Sequence, residues 1–139
     1  MRAATAFALL VILVAVPLTG CGRETRHDVR ISIQQIASIS SEGALIADDV
    51  AAGRTKTTFV RVHGNDLSSQ AEHEAEKLND DPVAPDLKPR IQNAIKLASD
   101  IGGAIDDMRV SPGDRQQAHQ AGQNLRRWAA EAQKLAQSI

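Results

Sequence analysis

Apolar residues recur along this chain at spacings of three and four, which place side chains on one face of an α-helix. The first such stripe consists of Val29, Ile33, Ile36, Ser40, Gly43, Ala47 and Val50, widened by Ile39 and Ile46. A later stripe consists of Leu87, Ile91, Ala94, Ala98, Ile101, Ile105 and Met108. The last consists of Ala118, Ala121, Leu125, Trp128, Ala132, Leu135 and Ile139. Each stripe predicts an amphipathic helix.

The segment between the first two of these stripes is ambiguous. Its helical stripe is Val60, Gly64, Leu67, Ala71, Ala75 and Leu78. Residues 57–63 also fit a strand, because they are rich in β-branched residues and Phe59, Arg61 and His63 alternate with Val or Thr. A lone strand would leave its backbone unpaired, and the chain has no second strand-like run. We favour the helix and keep the strand as the alternative.

Turn residues separate the predicted helices. Gly53 can end the first helix and Thr55 can cap the second. Residues 79–85, Asn-Asp-Asp-Pro-Val-Ala-Pro, form a turn-rich break. Asp86 or Lys88 then opens the third helix, with a proline tolerated in its first turn.

The clearest helix start is predicted near Ser111. Ser111 is placed at the cap, Pro112 at the first helical position and Asp114 three residues after the cap. The predicted helices are then roughly 28–52, 56–79, 87–110 and 112–138. Short connections make neighbouring helices antiparallel, so residues 28–139 are predicted to form an all-α, up-down-up-down four-helix bundle.

The N-terminal segment has a different pattern. Arg2 is followed by a predominantly apolar run over residues 3–16, and Pro17 and Gly20 follow. A basic start, a short apolar stretch and small residues at its end are typical of a secretory signal peptide. The run is shorter than the ~20 residues that a transmembrane helix needs, so an uncleaved membrane anchor is the weaker alternative.

The end of this segment, Leu18-Thr19-Gly20-Cys21, resembles the lipobox of bacterial lipoprotein precursors. The resemblance implies that a diacylglyceryl group joins the Cys21 sulfur and that a peptidase cuts between Gly20 and Cys21. Acylation, as with palmitate, of the new amino terminus is also common in that family. Residues 1–20 would then be the signal peptide and residues 21–27 the lipidated cysteine with a short tether. The alternative is a coincidental cysteine in an ordinary signal peptide.

The anchor also accounts for the cysteine usage. Cys21 is the single cysteine of the chain, so the domain has no disulfide framework and depends on packing. One acyl chain holds a protein to a membrane only marginally, whereas two or three hold it stably. We expect an exported protein, held by lipid to a membrane of the bacterial envelope on the extracytoplasmic face or in the periplasm.

The charge balance excludes one class of partner. Without the signal peptide and its Arg2, 15 basic residues (16 less one) oppose 17 acidic ones, which gives a formal charge of −2. A nucleic-acid-binding domain would show a basic patch or stripe, so no nucleic-acid partner is expected.

Candidate metal ligands occur in the second helix. Glu72, His73 and Glu76 lie within about one turn of each other. The Glu-x-x-His pairs of carboxylate-bridged metal bundles are absent, and these three residues lie off the apolar stripe. We therefore expect no metal site and interpret them as a solvated acidic face, with the metal site as the weak alternative.

Haem is the other cofactor considered. A covalent haem would need Cys-x-x-Cys-His, which is absent, and Met108 with His119 is the available axial pair for a non-covalent haem. Met108 and Trp128 both fit core stripes, so core packing is favoured over ligand binding. No nucleophile elbow or phosphate-binding glycine loop occurs, and we expect no enzyme and no cofactor.

The predicted function is a membrane-anchored binding or scaffolding module with a protein partner in the envelope. The alternatives are a bundle that carries a metal or haem, or one that binds an apolar ligand between its helices. Several glycines fall inside predicted helices, where each costs up to ~1 kcal/mol relative to alanine: Gly43, Gly64, Gly102, Gly103 and Gly122. We favour closely approaching helices as the reason and keep a kink at Gly102-Gly103 as the alternative.

Overall fold

Four antiparallel helices make up the computed structural model, which describes residues 25–80 and 82–139. They are α1 (Arg26–Ala51), α2 (Thr57–Asp80), α3 (Lys88–Val110) and α4 (Arg115–Gln137), with a 3-10 turn at Pro85–Leu87 before α3. Each helix packs against its neighbours in the chain, and α4 returns to pack along α1. The all-α four-helix bundle is confirmed. Residues 57–63 are helical, so the strand alternative is wrong.

The predicted stripes form the core. Every residue of the α1 stripe and of the Leu87–Met108 stripe is buried. Ile33, Ile36, Ile101, Ile105 and Leu125 are among the largest side chains that are fully buried. Trp128 departs from the prediction in degree, because it is only partly buried and packs against the edge of this core. Arg127 lies over the indole ring, with its guanidinium carbon 5.9 Å from the ring centroid.

The helices form two close pairs, α1 with α4 and α2 with α3. At the first pair, a Cβ added to Gly122 would lie 3.2 Å from the Ala47 Cβ. At the second, a Cβ added to Gly64 would lie 3.2 Å from the Arg109 Cβ. A Cβ on Gly43 would meet the core itself, at 3.0 Å from Ile105 Cδ1. Close helix approach therefore accounts for these three glycines.

The adjacent glycines of α3 behave differently. A Cβ on Gly102 would make ordinary contacts at 3.6 Å or more, and a Cβ on Gly103 would meet nothing within 4 Å. The helix runs unbroken through both residues. Packing does not require the glycine at position 103.

All four helix starts differ from the sequence prediction, by one to three residues. α1 begins at Arg26, two residues early, because Thr25 and Asp28 form a capping box. α2 begins at Thr57, and its first backbone hydrogen bond runs from the Val60 N–H to the Lys56 carbonyl, so Thr55 lies one residue too early to cap it. The prediction of Gly53 as the end of α1 agrees with its left-handed φ of 67°.

The start of α4 is the largest difference. Ser111 ends α3, and the Asp114 N–H donates to the Ser111 carbonyl at 3.1 Å, closing a four-residue turn. Proline at the second turn position favours this geometry. Asp114, rather than Ser111, then caps α4 by accepting a hydrogen bond from the Gln117 N–H at 2.9 Å. The prediction of Pro112 as the first helical residue is therefore wrong.

Candidate functional site

The helix start nearest the predicted lipid anchor is well defined. The Thr25 hydroxyl donates to Asp28 Oδ2 at 2.6 Å, and the Thr25 N–H donates to the same oxygen at 3.0 Å. The Asp28 N–H donates back to the Thr25 hydroxyl at 3.3 Å. These bonds from Thr25 favour the carboxylate and lower the pKa of Asp28 below its ordinary value. The capping box thus fixes where α1 begins.

Cys21 lies outside the described residues, as does the Gly20–Cys21 bond. The spacing along the chain still limits its distance from the domain. Three residues separate Cys21 from Thr25, so the two Cα atoms are at most about 14 Å apart even with the chain fully extended. The predicted tether of residues 21–27 is shortened, because Arg26 and His27 already belong to α1.

The end of the bundle next to Thr25 is here named the proximal end. It comprises the start of α1, the end of α2, the turn before α3 and the end of α4, because the four helices alternate in direction. An ion pair between Arg26 and Asp86 joins the start of α1 to the turn before α3. Val83 and Ala84 in that connection pack against the core. The start of α1 is therefore held to the rest of the bundle.

Shallow clefts run along the surface between α1 and α4, here named the α1–α4 face. Three clefts share lining residues, Gln34, Ser41 and Gln133, so they form one continuous groove. His27 and Ile31 line one end, and Leu45 lines the other. The ion pair of Asp48 with Arg126, at 2.7 Å, closes the far end. This groove is long, and its lining is mostly small or uncharged.

A second cleft of about 410 Å³ lies between α2 and α3. Its lining residues are Ser68, Glu72, Ala75, Ala98, Ser99, Gly102, Gly103 and Asp106. Asp106 is paired with Arg109 at 2.6 Å. The absence of a side chain at Gly103 leaves this cleft open, which is the structural consequence of a glycine that packing does not need.

The structure does not bring the candidate metal ligands together. Glu72 lines the α2–α3 cleft, whereas His73 lines a separate cleft on the α1 side of α2 with Gln35 and Ile39. Within the described part of the chain, no three His, Cys, Asp or Glu side chains form a group able to hold a metal ion.

The candidate haem pair is also separated. Met108 is 2% exposed and belongs to the core. His119 is exposed on α4, where its Nε2 lies 3.1 Å from Gln123 Nε2. One side chain thus lies inside the bundle and the other on its surface, an arrangement that does not fit two axial ligands of one haem.

Sequence reasoning missed the α1–α4 face, although its signal was present. His27, Ile31, Gln34, Ser38, Ser41, Leu45 and Asp48 follow spacings of 4-3-4-3-4-3. This second stripe, here named the outer stripe of α1, lies beside the core stripe. Only Ile31 and Leu45 in it are aliphatic, so its period is hidden among polar residues.

Comparison with known proteins adds no further information. No family model, no curated protein and no solved structure matches the chain. Within residues 25–80 and 82–139, no helix combines the length and the apolar character that crossing a membrane requires.

Proposed function

We propose that this chain is a bacterial envelope lipoprotein, anchored through lipid on Cys21, whose four-helix domain acts by binding or scaffolding other proteins. The observation that carries the proposal is the short spacing between Leu18-Thr19-Gly20-Cys21 and the start of the helical domain. A lipobox behind a basic start and an apolar run is followed, four residues after its cysteine, by the capped start of α1.

This short spacing supports a scaffold close to the membrane. The proximal end lies within about 14 Å of the anchored cysteine. α1 continues for 26 residues, or about 39 Å at 1.5 Å per residue. The domain is therefore a short rod fixed at one end, with its side faces available to other proteins of the envelope.

The surface supports binding rather than catalysis. The polar side chains that line the two clefts are hydroxyls, amides and carboxylates, together with His27, Arg30 and Arg126 on the α1–α4 face, and all lie on open helix faces. Catalysis needs a nucleophile or acid–base pair held in a shaped site, and neither cleft joins such groups. No structural observation favours the metal, haem or apolar-ligand alternatives.

Metabolic labelling with a clickable fatty acid tests the anchor. In bacteria that express the chain, the wild type should incorporate label and Cys21→Ser should incorporate none. Thr19→Ala, which keeps a small residue in the lipobox, is the matched control and should label like the wild type. Equal labelling of Cys21→Ser and the wild type would refute the proposal.

Proximity crosslinking in the native cells tests the binding role. A photoreactive residue at position 103 samples the α2–α3 cleft, and one at position 38 samples the α1–α4 face. We expect a defined crosslinked species from at least one of these positions. Absence of any crosslink at both positions would argue against the binding or scaffolding role.

A further inference from the structure

The two aliphatic residues of the outer stripe of α1, Ile31 and Leu45, are exposed on the described bundle. Ile31 is 38% exposed and Leu45 is 67% exposed, and Leu45 is the most exposed of the large hydrophobic residues that the structure describes. They are separated by 14 positions, or two heptads, and about 21 Å along the helix. Heptad spacing is the period at which one α-helix packs along another.

The stripe is uncharged between its ends. The positions between Ile31 and Leu45 on this stripe are Gln34, Ser38 and Ser41. At the far end, Arg126 neutralises Asp48. Small and uncharged side chains let a second helix approach without burying unpaired charge. The adjoining groove along α4 gives that helix a concave seat.

The anchor determines the direction in which α1 runs relative to the membrane. With Thr25 within about 14 Å of Cys21, every anchored copy holds its proximal end against the same membrane. Ile31 of one copy then lies at the same height as Ile31 of a neighbour, and Leu45 lies at the height of Leu45. A two-fold axis along the membrane normal makes such a contact self-complementary.

From these observations we infer that the outer stripe of α1 is a parallel self-association surface, occupied by α1 of a second copy on the same membrane. The inference rests on the proposed lipid anchor, which sets the parallel direction. Anchoring also confines the copies to a surface and raises their effective concentration. A contact with only two aliphatic positions is enough for two copies to pair because the copies are confined to one membrane.

Disulfide trapping tests the surface. Ile31→Cys and Leu45→Cys are made separately in the full-length chain, and membranes from producing cells are oxidised and analysed without reductant. Each variant should form a disulfide-linked dimer, because in a parallel pair each position meets itself. Val62→Cys on α2 is the matched control, since Val62 is 55% exposed, and it should stay monomeric.

The direction of pairing is tested by mixing. If Ile31→Cys and Leu45→Cys crosslink only with each other, the pair is antiparallel and the inference is wrong. If neither variant gives more disulfide-linked dimer than Val62→Cys, the outer stripe is not a contact surface and the inference is wrong. Adding Ser38→Arg to Ile31→Cys should lower the dimer yield about tenfold, equivalent to ~1.4 kcal/mol. An unchanged yield would also overturn the inference.

The wild-type chain shows whether a negative result concerns the self-association or the lipid anchor. A lipidated Cys21 has no thiol, so the wild type should give no disulfide-linked dimer. A dimer in the wild type would mean that Cys21 is free, and the lipoprotein proposal would fail. A wild type without dimer, together with monomeric Ile31→Cys and Leu45→Cys, would remove only the self-association.

Discussion

The hydroxyl of Ser40 donates a 2.7 Å hydrogen bond to the backbone carbonyl of Leu125, joining α1 to α4 inside the core. Ser40 is fully buried. Ser32, eight residues earlier in α1, is equally buried, yet its hydroxyl has no hydrogen-bond partner among the described residues. The two serines therefore form a matched pair in one helix.

We predict opposite effects from removing these hydroxyls. Ser40→Ala should lower the free energy of unfolding by about 1 kcal/mol, the usual net contribution of a hydrogen bond. Ser32→Ala should leave stability unchanged or raise it, since it removes an unpaired buried polar group. Urea melts of both variants measure the difference. Equal destabilisation by the two would contradict the packing of α1 on α4.

A second pair of variants tests which glycines the packing requires. Gly103→Ala should stabilise the chain by up to ~1 kcal/mol, because alanine favours helix and the added Cβ meets nothing. Gly43→Ala should destabilise it by about 1 kcal/mol, because its Cβ would press on both Ile105 and Leu125. Thermal melts show whether each substitution raises or lowers the stability. A stabilising Gly43→Ala would be inconsistent with the core described above.

The core prediction compares a buried and an exposed side chain. Ile105 is 1% exposed, so Ile105→Ala should cost about 2–5 kcal/mol. His73 is exposed on α2, so His73→Ala should stay within about 0.5 kcal/mol of the wild type. Denaturant melts with and without chelator measure both. A large loss for His73→Ala, or a chelator effect on the wild type, would reopen the metal alternative.

The capping box makes the stability of the fold depend on pH. The folded-state pKa of Asp28 is lowered, so its contribution to stability is present above its unfolded-state pKa and is lost as pH falls through the folded value. Asp28→Asn should therefore lower the Tm at neutral pH, and the difference from the wild type should shrink below about pH 4. Melts at pH 7 and pH 3 provide the test. A difference that grows towards acid pH would have the wrong sign.

The helices and their inward faces were predictable from the sequence because burial repeats with the helical period. The stripe from Leu87 to Met108 is buried at every position. Helix ends were less predictable, because the same residues suit two local structures. Ser111 and Pro112 favour both a helix start and a turn, and the choice depends on the stronger cap at Asp114.

The surface features were harder to predict for a different reason. Polar residues at Gln34, Ser38 and Ser41 conceal the period of the outer stripe, and exposure of Leu45 becomes visible only once the neighbouring helices are placed. Glu72 and His73 are adjacent in sequence, yet they line different clefts of α2. Adjacency in the sequence therefore does not place these two side chains where they could bind one metal ion.

We propose that the mature chain begins at a lipidated Cys21. Mass spectrometry of the protein extracted from membranes tests it most directly, through the mass of its N-terminal peptide. We expect a peptide that starts at Cys21 and carries the added mass of a diacylglyceryl group on that residue. A peptide that retains residues before Cys21, or one with an unmodified Cys21, would contradict it.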